Sequence, residues 1–248
     1  MQQANPTRDT SPRRLDALII GAGFGGMYAL HRTRGMGLDA HLIEAGDDVG
    51  GTWYWNRYPG ARCDVMSIDY SYSFSDEIQQ EWTWSEQFAA QPEILSYARF
   101  VADKLDLKRD ISFETRATAV HYDEEAALWQ IETDRGEVYE ARYCLMATGP
   151  LSVPKQLDIP GADKFKGELY LSGKWPHHDI DLKGKRVAVI GTGSSGIQIV
   201  PVVAEQAQHL YVYQRTPSFT LPMRNRKLDE EYVAHIKAHY PALRAAAR

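Results

Sequence analysis

Short apolar runs that end in glycine alternate along this chain with longer stretches of helical spacing. Residues 16–20, Asp-Ala-Leu-Ile-Ile, are mostly apolar and stop at Gly21, which predicts a buried strand. The run Gly21-Ala22-Gly23-Phe24-Gly25-Gly26 follows, then a helix-like stretch over 27–37 and a second strand over 39–44. Strand, glycine turn, helix and strand in about 30 residues form a βαβ crossover. Residues 46–90 hold no sustained period and many Gly, aromatic and Asp residues. They predict long loops with short helices, and loops of that length commonly cover a ligand. Over 91–107, Ile94, Leu95, Ala98, Val101, Ala102 and Leu105 fall on one helical face. Segments 111–121, 127–133 and 137–142 alternate like a small antiparallel sheet turning at Asp134-Arg135-Gly136, and 143–147 reads as a further apolar strand. Pro150, Pro154, Pro160, Pro176 and four glycines mark 150–184 as a linker.

Beyond the linker the opening pattern returns. Residues 185–190 predict a strand and Gly191-Thr192-Gly193-Ser194-Ser195-Gly196 a glycine turn. A helix over 197–207, a strand over 209–215 and a last helix over 228–247 complete the pattern. The expected fold is therefore α/β: a Rossmann-like dinucleotide domain followed by the start of a second. The expected boundaries are a polar tail over 1–14, a first domain over 15–150, a linker over 151–184 and a partial second domain over 185–248.

Composition narrows the function classes. The 248 residues are 44% hydrophobic and 25% charged, as in a folded globular protein. Lys and Arg total 28 against 33 Asp and Glu, a net charge of −5, which argues against nucleic-acid binding. The two cysteines, Cys63 and Cys144, cannot build a disulfide scaffold and fit a reducing, cytoplasmic compartment. The most apolar stretch, Leu15 to Leu30, is interrupted by four glycines, so no membrane span is expected. The tail has no apolar core of a signal peptide.

Each glycine loop carries a chemical expectation. Gly21 permits the tight turn, Gly23 lets main chain approach a pyrophosphate, and Gly26 lets helix pack on strand. The helix N-terminus, with Phe24 in its first turn, then faces the phosphates. Glu44 stands at the end of the second strand, where a carboxylate accepts hydrogen bonds from ribose hydroxyls. In the second unit Gln214, Arg215 and Thr216 stand there instead. A carboxylate would repel a 2′-phosphate, whereas a guanidinium can grip it through two hydrogen bonds. FAD is therefore assigned to the first loop and NADPH to the second. A flavoprotein reduced by a nicotinamide could be a disulfide reductase, but that class needs two cysteines a few residues apart. Ser194-Ser195 lies in the phosphate loop and is no nucleophile elbow. His177-His178 has no third ligand at metal-binding spacing, and Trp82 and Trp84 read as cover for a core.

The segment after Glu44 reads Gly50-Gly51-Thr52-Trp53-Tyr54-Trp55-Asn56-Arg57-Tyr58-Pro59-Gly60-Ala61-Arg62-Cys63-Asp64. It resembles the motif of the flavin-dependent Baeyer–Villiger monooxygenases: paired glycines, Trp, then Tyr-Pro-Gly and a closing Asp. Phe165-Lys166-Gly167 and Trp175-Pro176 resemble the same family's fingerprint, with Leu171 where the family has His. The resemblance extends over residues 15–248. It implies that NADPH reduces FAD, that reduced FAD adds O2 to give a C4a-peroxyflavin, and that a small-molecule ketone becomes an ester or lactone. It further implies that Thr52, Trp53, Tyr54, Trp55, Asp64 and Tyr70 surround the ring side of FAD and that Ala117 is a cofactor-binding position. Arg62, Cys63 and Asp64 would border the nicotinamide. Thr192, Gly193, Ser194, Ser195, Gly196, Ile197, Gln198, Arg215 and Thr216 would hold the rest of NADPH. Asp64 is the catalytic candidate, since the family's Asp supports an active-site arginine. The family's chains are longer, so this sequence resembles their N-terminal half, with a complementary C-terminal chain as the expected partner. Two alternatives stay open: an N- or S-oxygenating flavin monooxygenase, and an inactive FAD-binding remnant.

Overall fold

A computed structural model describes residues 11–246. Most of the expected tail, residues 1–10, lies outside the described residues, as do 247 and 248. The chain divides into two compact units, Met1–Tyr54 with Ala102–Pro150, and Trp55–Val101 with Leu151–Arg248.

The first unit is built on a six-stranded sheet. Its strands are β1 (Arg13–Ile20), β2 (Ala40–Ile43), β3 (Ile111–Ser112), β4 (Ala117–Asp123), β5 (Leu128–Thr133) and β6 (Val138–Met146). They run in the order β3-β2-β1-β6-β5-β4. Helix α1 (Phe24–Gly35) connects the parallel neighbours β1 and β2 and buries Met27 and Leu30. Short α2 (Thr52–Trp55) follows β2. Ala17, Leu18 and Ile19 have no exposed surface, as a central strand covered on both faces requires. Leu18, Ile20 and Ile43 form one core with Ile131, Tyr139 and Ala141 of the β5–β6 pair.

Three expectations are corrected here. The strand begins at Arg13, inside the expected tail, because Arg13–Leu15 pair with Tyr139–Ala141 and the Arg14 guanidinium meets Glu140 at 2.8 Å. Residues 111–121 do not make one antiparallel strand: Ile111 and Ser112 pair parallel with β2, and β4 starts only at Ala117. Segments 137–142 and 143–147 are one strand, because β6 pairs parallel with β1 over most of its length and antiparallel with β5 near its start. Its change from alternating to apolar residues marks a change of neighbours and not a break.

The second unit contains α3 (Asp76–Glu81) and most of α4 (Gln91–Lys104). It also holds β7 (Arg186–Ile190), α5 (Ser194–Gln206), β8 (His209–Tyr213) and α6 (Glu230–Ala246). Strands β7 and β8 pair in parallel across the α5 crossover. Ile199 and Val203 of α5 pack with Leu182, Val187, Val189 and Leu210. The opposite face stays open, with Ile190 and Tyr213 exposed. Trp82, Trp84, Tyr97 and Phe100 form a ring cluster with centroids 4.9–5.5 Å apart, the core role expected of the two tryptophans. Helix α6 joins α3 by Arg244, whose guanidinium donates to Gln79 Oε1 at 3.2 Å. Among the described residues no helix is long and apolar enough to cross a membrane.

Candidate functional site

The two glycine loops share one geometry. Gly21 has φ +105° and its N–H donates to Ile43 O at 2.8 Å; Gly191 has φ +101° and its N–H donates to Tyr213 O at 2.8 Å. Gly23 and Gly193 cap their helices with φ −73° and ψ of −176° and −175°. A Cβ at Gly26 would lie 1.8 Å from Gly21 O, and one at Gly196 would lie 2.2 Å from Gly191 O. Both loops thus need glycine at the first and last positions. Each leaves the first-turn amides of a helix pointing outward, where main-chain N–H groups and the helix dipole favour an anion.

Around the first loop the 50–54 segment closes a cradle. Gly50 N–H donates to Ala22 O at 3.0 Å. Gly51 has φ +53°, and a Cβ there would stand 2.7 Å from Gly23 Cα. The two main chains therefore touch with no side chain between them. Glu44 is buried. One of its oxygens accepts from Ala22 N–H at 2.6 Å and the other from Gly46 N–H at 2.8 Å. An ionised carboxylate has about four acceptor sites, so it retains capacity for ribose hydroxyls. Trp53 and Tyr54 are buried, Thr52 is half-buried, and the Tyr54 hydroxyl donates to Asp47 at 2.6 Å. Phe24 opens α1 half-buried, and Ala117 opens β4.

In the second unit, Thr192 Oγ1 accepts from Gln214 Nε2 at 2.8 Å, joining the loop to the end of its β-strand pair. Ser194 and Ile197 are exposed and Ser195 half-buried on the first turn of α5. Arg215 and Thr216 follow β8 and are exposed, open to a phosphate from solvent. Gln198, near the start of α5, reaches the 58–62 segment. Its carboxamide donates to Arg62 O at 2.9 Å and accepts from Arg62 N–H at 3.3 Å and from the Tyr58 hydroxyl at 3.0 Å. The Arg62 guanidinium donates to Glu86 and to Phe88 O. Its hydrogen bond holds the Glu86 carboxyl below the ordinary range, helped by Asn225, which donates to the same oxygen at 2.7 Å. Glu86 and Asn225 were not expected from the sequence, and Tyr58 and Gly60 were read there only as part of a motif, without a contact of their own. Only Tyr58 and Gly60 carried a signal, through the Tyr-Pro-Gly run.

The other expected residues are placed as follows. Asp64 is exposed while Arg62 is committed to Glu86. Cys63 is buried, and burial raises its thiol pKa, as it does for half-buried Cys144. Both are free, and a raised pKa is the opposite of the lowered one that marks an activated redox thiol. Tyr70 and Trp55 are half-buried. The ring of Trp55 lies 6.4 Å from that of exposed His177. Leu171 caps the helical turn Ser172–Lys174. Among the described residues no group of three or more His, Cys, Asp and Glu could hold a metal.

The profile of the family described as pyridine nucleotide-disulphide oxidoreductase matches residues 18–239. A Baeyer-Villiger monooxygenase of Pseudooceanicola batsensis is 44% identical over 226 residues, 91% of this chain and 41% of that protein. A phenazine N-monooxygenase of Lysobacter antibioticus is 42% identical over 233 residues, 94% of this chain and 43% of that protein. Among solved structures, an oxidized steroid monooxygenase bound to NADP superposes with a TM-score of 0.90 at 52% identity, covering 92% of this chain and 44% of the other. The chain spans less than half the length of the curated relatives it matches.

Proposed function

The chain belongs to the pyridine nucleotide-disulphide oxidoreductase family, and from that premise we propose that it holds FAD and NADPH for Baeyer–Villiger oxidation of a ketone, with O2, to an ester or lactone. One observation carries the reading. The Gly50-Gly51 pair that opens the monooxygenase-type motif lies main chain to main chain on Gly23 of the dinucleotide loop. The contact leaves a side-chain-free cradle at the N-terminus of α1, as a pyrophosphate needs. The residues present fit both groups.

When bound, the flavin supplies oxygen activation and the nicotinamide supplies the hydride. The amides of α1 and of Gly21–Gly26 hold the FAD pyrophosphate, and Glu44 accepts from its ribose. Buried Trp53 and Tyr54 exclude water beside the cradle. Thr192–Gly196 hold the second pyrophosphate, and Arg215 with Thr216 takes the 2′-phosphate. Asp64 is the carboxylate offered to a guanidinium near the reacting atoms. Two cysteines, too few for a disulfide scaffold, fit a reducing, cytoplasmic setting.

The 42% identity to a phenazine N-monooxygenase favours one second reading, oxygenation at nitrogen. The test is to purify the chain, record its visible spectrum, and then supply NADPH with a ketone or an aromatic amine. Stoichiometric flavin, bleached by NADPH, and ester formation support the proposal. Amine oxidation without ester supports the second reading, and a chain that stays colourless after incubation with FAD overturns both.

A further inference from the structure

Arg62 sits in an antiparallel bridge with Ala90. The ladder hydrogen bonds there belong to its neighbours: Cys63 N–H donates to Ala89 O at 3.1 Å and Gln91 N–H to Ala61 O at 2.8 Å. In such a pair the main-chain N–H and C=O of the central residue point away from the partner strand. Among the described residues no third strand takes up those two groups in Arg62. The carboxamide of Gln198 meets both, one as donor and one as acceptor, as a strand's own peptide would.

A second observation fixes the same contact. Gly60 has φ +77°, and a Cβ there would lie 2.3 Å from Gln198 O and 3.0 Å from Val202 Cγ2. The turn before Arg62 thus rests directly on the main chain of α5. We infer that Gln198 is a positioning residue: it ties the segment carrying Arg62, Cys63 and Asp64 to the helix whose N-terminus receives NADP, so that occupancy of that loop stiffens the segment. The coupling rests on the reading of α5 as the NADP helix; the grip on Arg62 does not.

The experiment is amide exchange read residue by residue by NMR on the full chain, with and without saturating NADP+. Gln198→Leu keeps an apolar branched side chain at the site, one atom shorter, and removes every polar atom. Its Arg62 amide should exchange about tenfold or more faster than in the wild type, since both partners of a half-buried peptide are lost. NADP+ should slow Arg62 exchange in the wild type and not in the variant, each compared at its own saturating NADP+ concentration. Val202→Ala loosens the same packing without touching the carboxamide and should leave Arg62 protected. Gln198→Ala replaces the leucine variant should that one fail to fold.

Equal Arg62 exchange in wild type and variant overturns the inference. So does loss of Arg62 protection in Val202→Ala, which would make the effect one of packing. Greatly weakened NADP+ binding with Arg62 still protected would make Gln198 a direct ligand and also overturn it. A wild-type chain that ignores NADP+ overturns the cofactor reading and the coupling, while the ligand-free comparison still decides whether Gln198 holds Arg62.

Discussion

Gly51 lies against Gly23 so closely that a Cβ on Gly51 would stand 2.7 Å from the Gly23 Cα. Two glycines far apart in the chain therefore share one constraint. The Gly21–Gly26 loop can present main chain to a pyrophosphate only while the 50–54 segment brings no side chain beside it.

Gly51→Ala should therefore abolish flavin binding. The substitution adds left-handed strain at φ +53° to a main-chain collision. The strain alone costs roughly 1 kcal/mol. Gly136→Ala, at φ +76° but with open space around it, carries strain without collision. It should melt slightly lower and keep full flavin, read by the ratio of visible to ultraviolet absorbance.

Gly196→Ala should separate the two cofactors. Its Cβ would collide with Gly191 O, whereas the first loop is left untouched. NADP+ affinity, measured by calorimetry, should fall at least about tenfold, the effect of losing one or two charge-assisted hydrogen bonds. Flavin content should not change. Equal loss of both would tie the loops more closely than this reading allows.

His41 should make the first unit acid-sensitive. It is buried, its Nε2 lies 2.8 Å from Ser112 Oγ, its ring stacks on Tyr139, and its Nδ1 has no hydrogen-bond partner among the described residues. Burial first, then the nearby Arg13 charge, lowers its pKa to about 4, against 6.5 ordinarily. Between those values the unfolded chain takes up a proton that the folded chain refuses. Stability is therefore whole above pH 6.5 and declines as pH falls toward 4, by up to about 3 kcal/mol. Urea unfolding at pH 7 and pH 5 should show the decline, and His41→Phe, which keeps a ring on Tyr139, should flatten it.

Both cysteines should alkylate slowly. Burial raises the thiol pKa of Cys63 and Cys144, which leaves little thiolate at neutral pH. Iodoacetamide at pH 7 should label them faster in urea than in the native chain. Rapid native labelling after NADPH addition would instead indicate disulfide chemistry and count against the monooxygenase reading.

Much of the molecule was legible because its signals are local. Gly21, Gly23 and Gly26 announce a loop because turn, phosphate approach and helix packing each act within a few residues, and the same holds for Gly191, Gly193 and Gly196. Strand β6 was less legible: its two halves looked like two strands, since alternation reports burial and not the identity of a neighbour. Ile111 and Ser112 joined β2 in parallel, a long-range pairing that two residues cannot signal. Glu86 and Asn225 were invisible as a site, because their contact with each other spans 139 positions.

The sequence by itself determined two glycine loops between strand and helix, the acid after the first, its absence after the second, and the motif that follows Glu44. Those are consequences of backbone freedom and charge at single positions. The tertiary structure alone decided that Gly51 faces Gly23, that Arg62 is spent on Glu86, and that Gln198 acts as a strand for Arg62. Hydrogen-bond partners are chosen by which groups meet after the chain closes, and no local pattern of residues encodes that meeting.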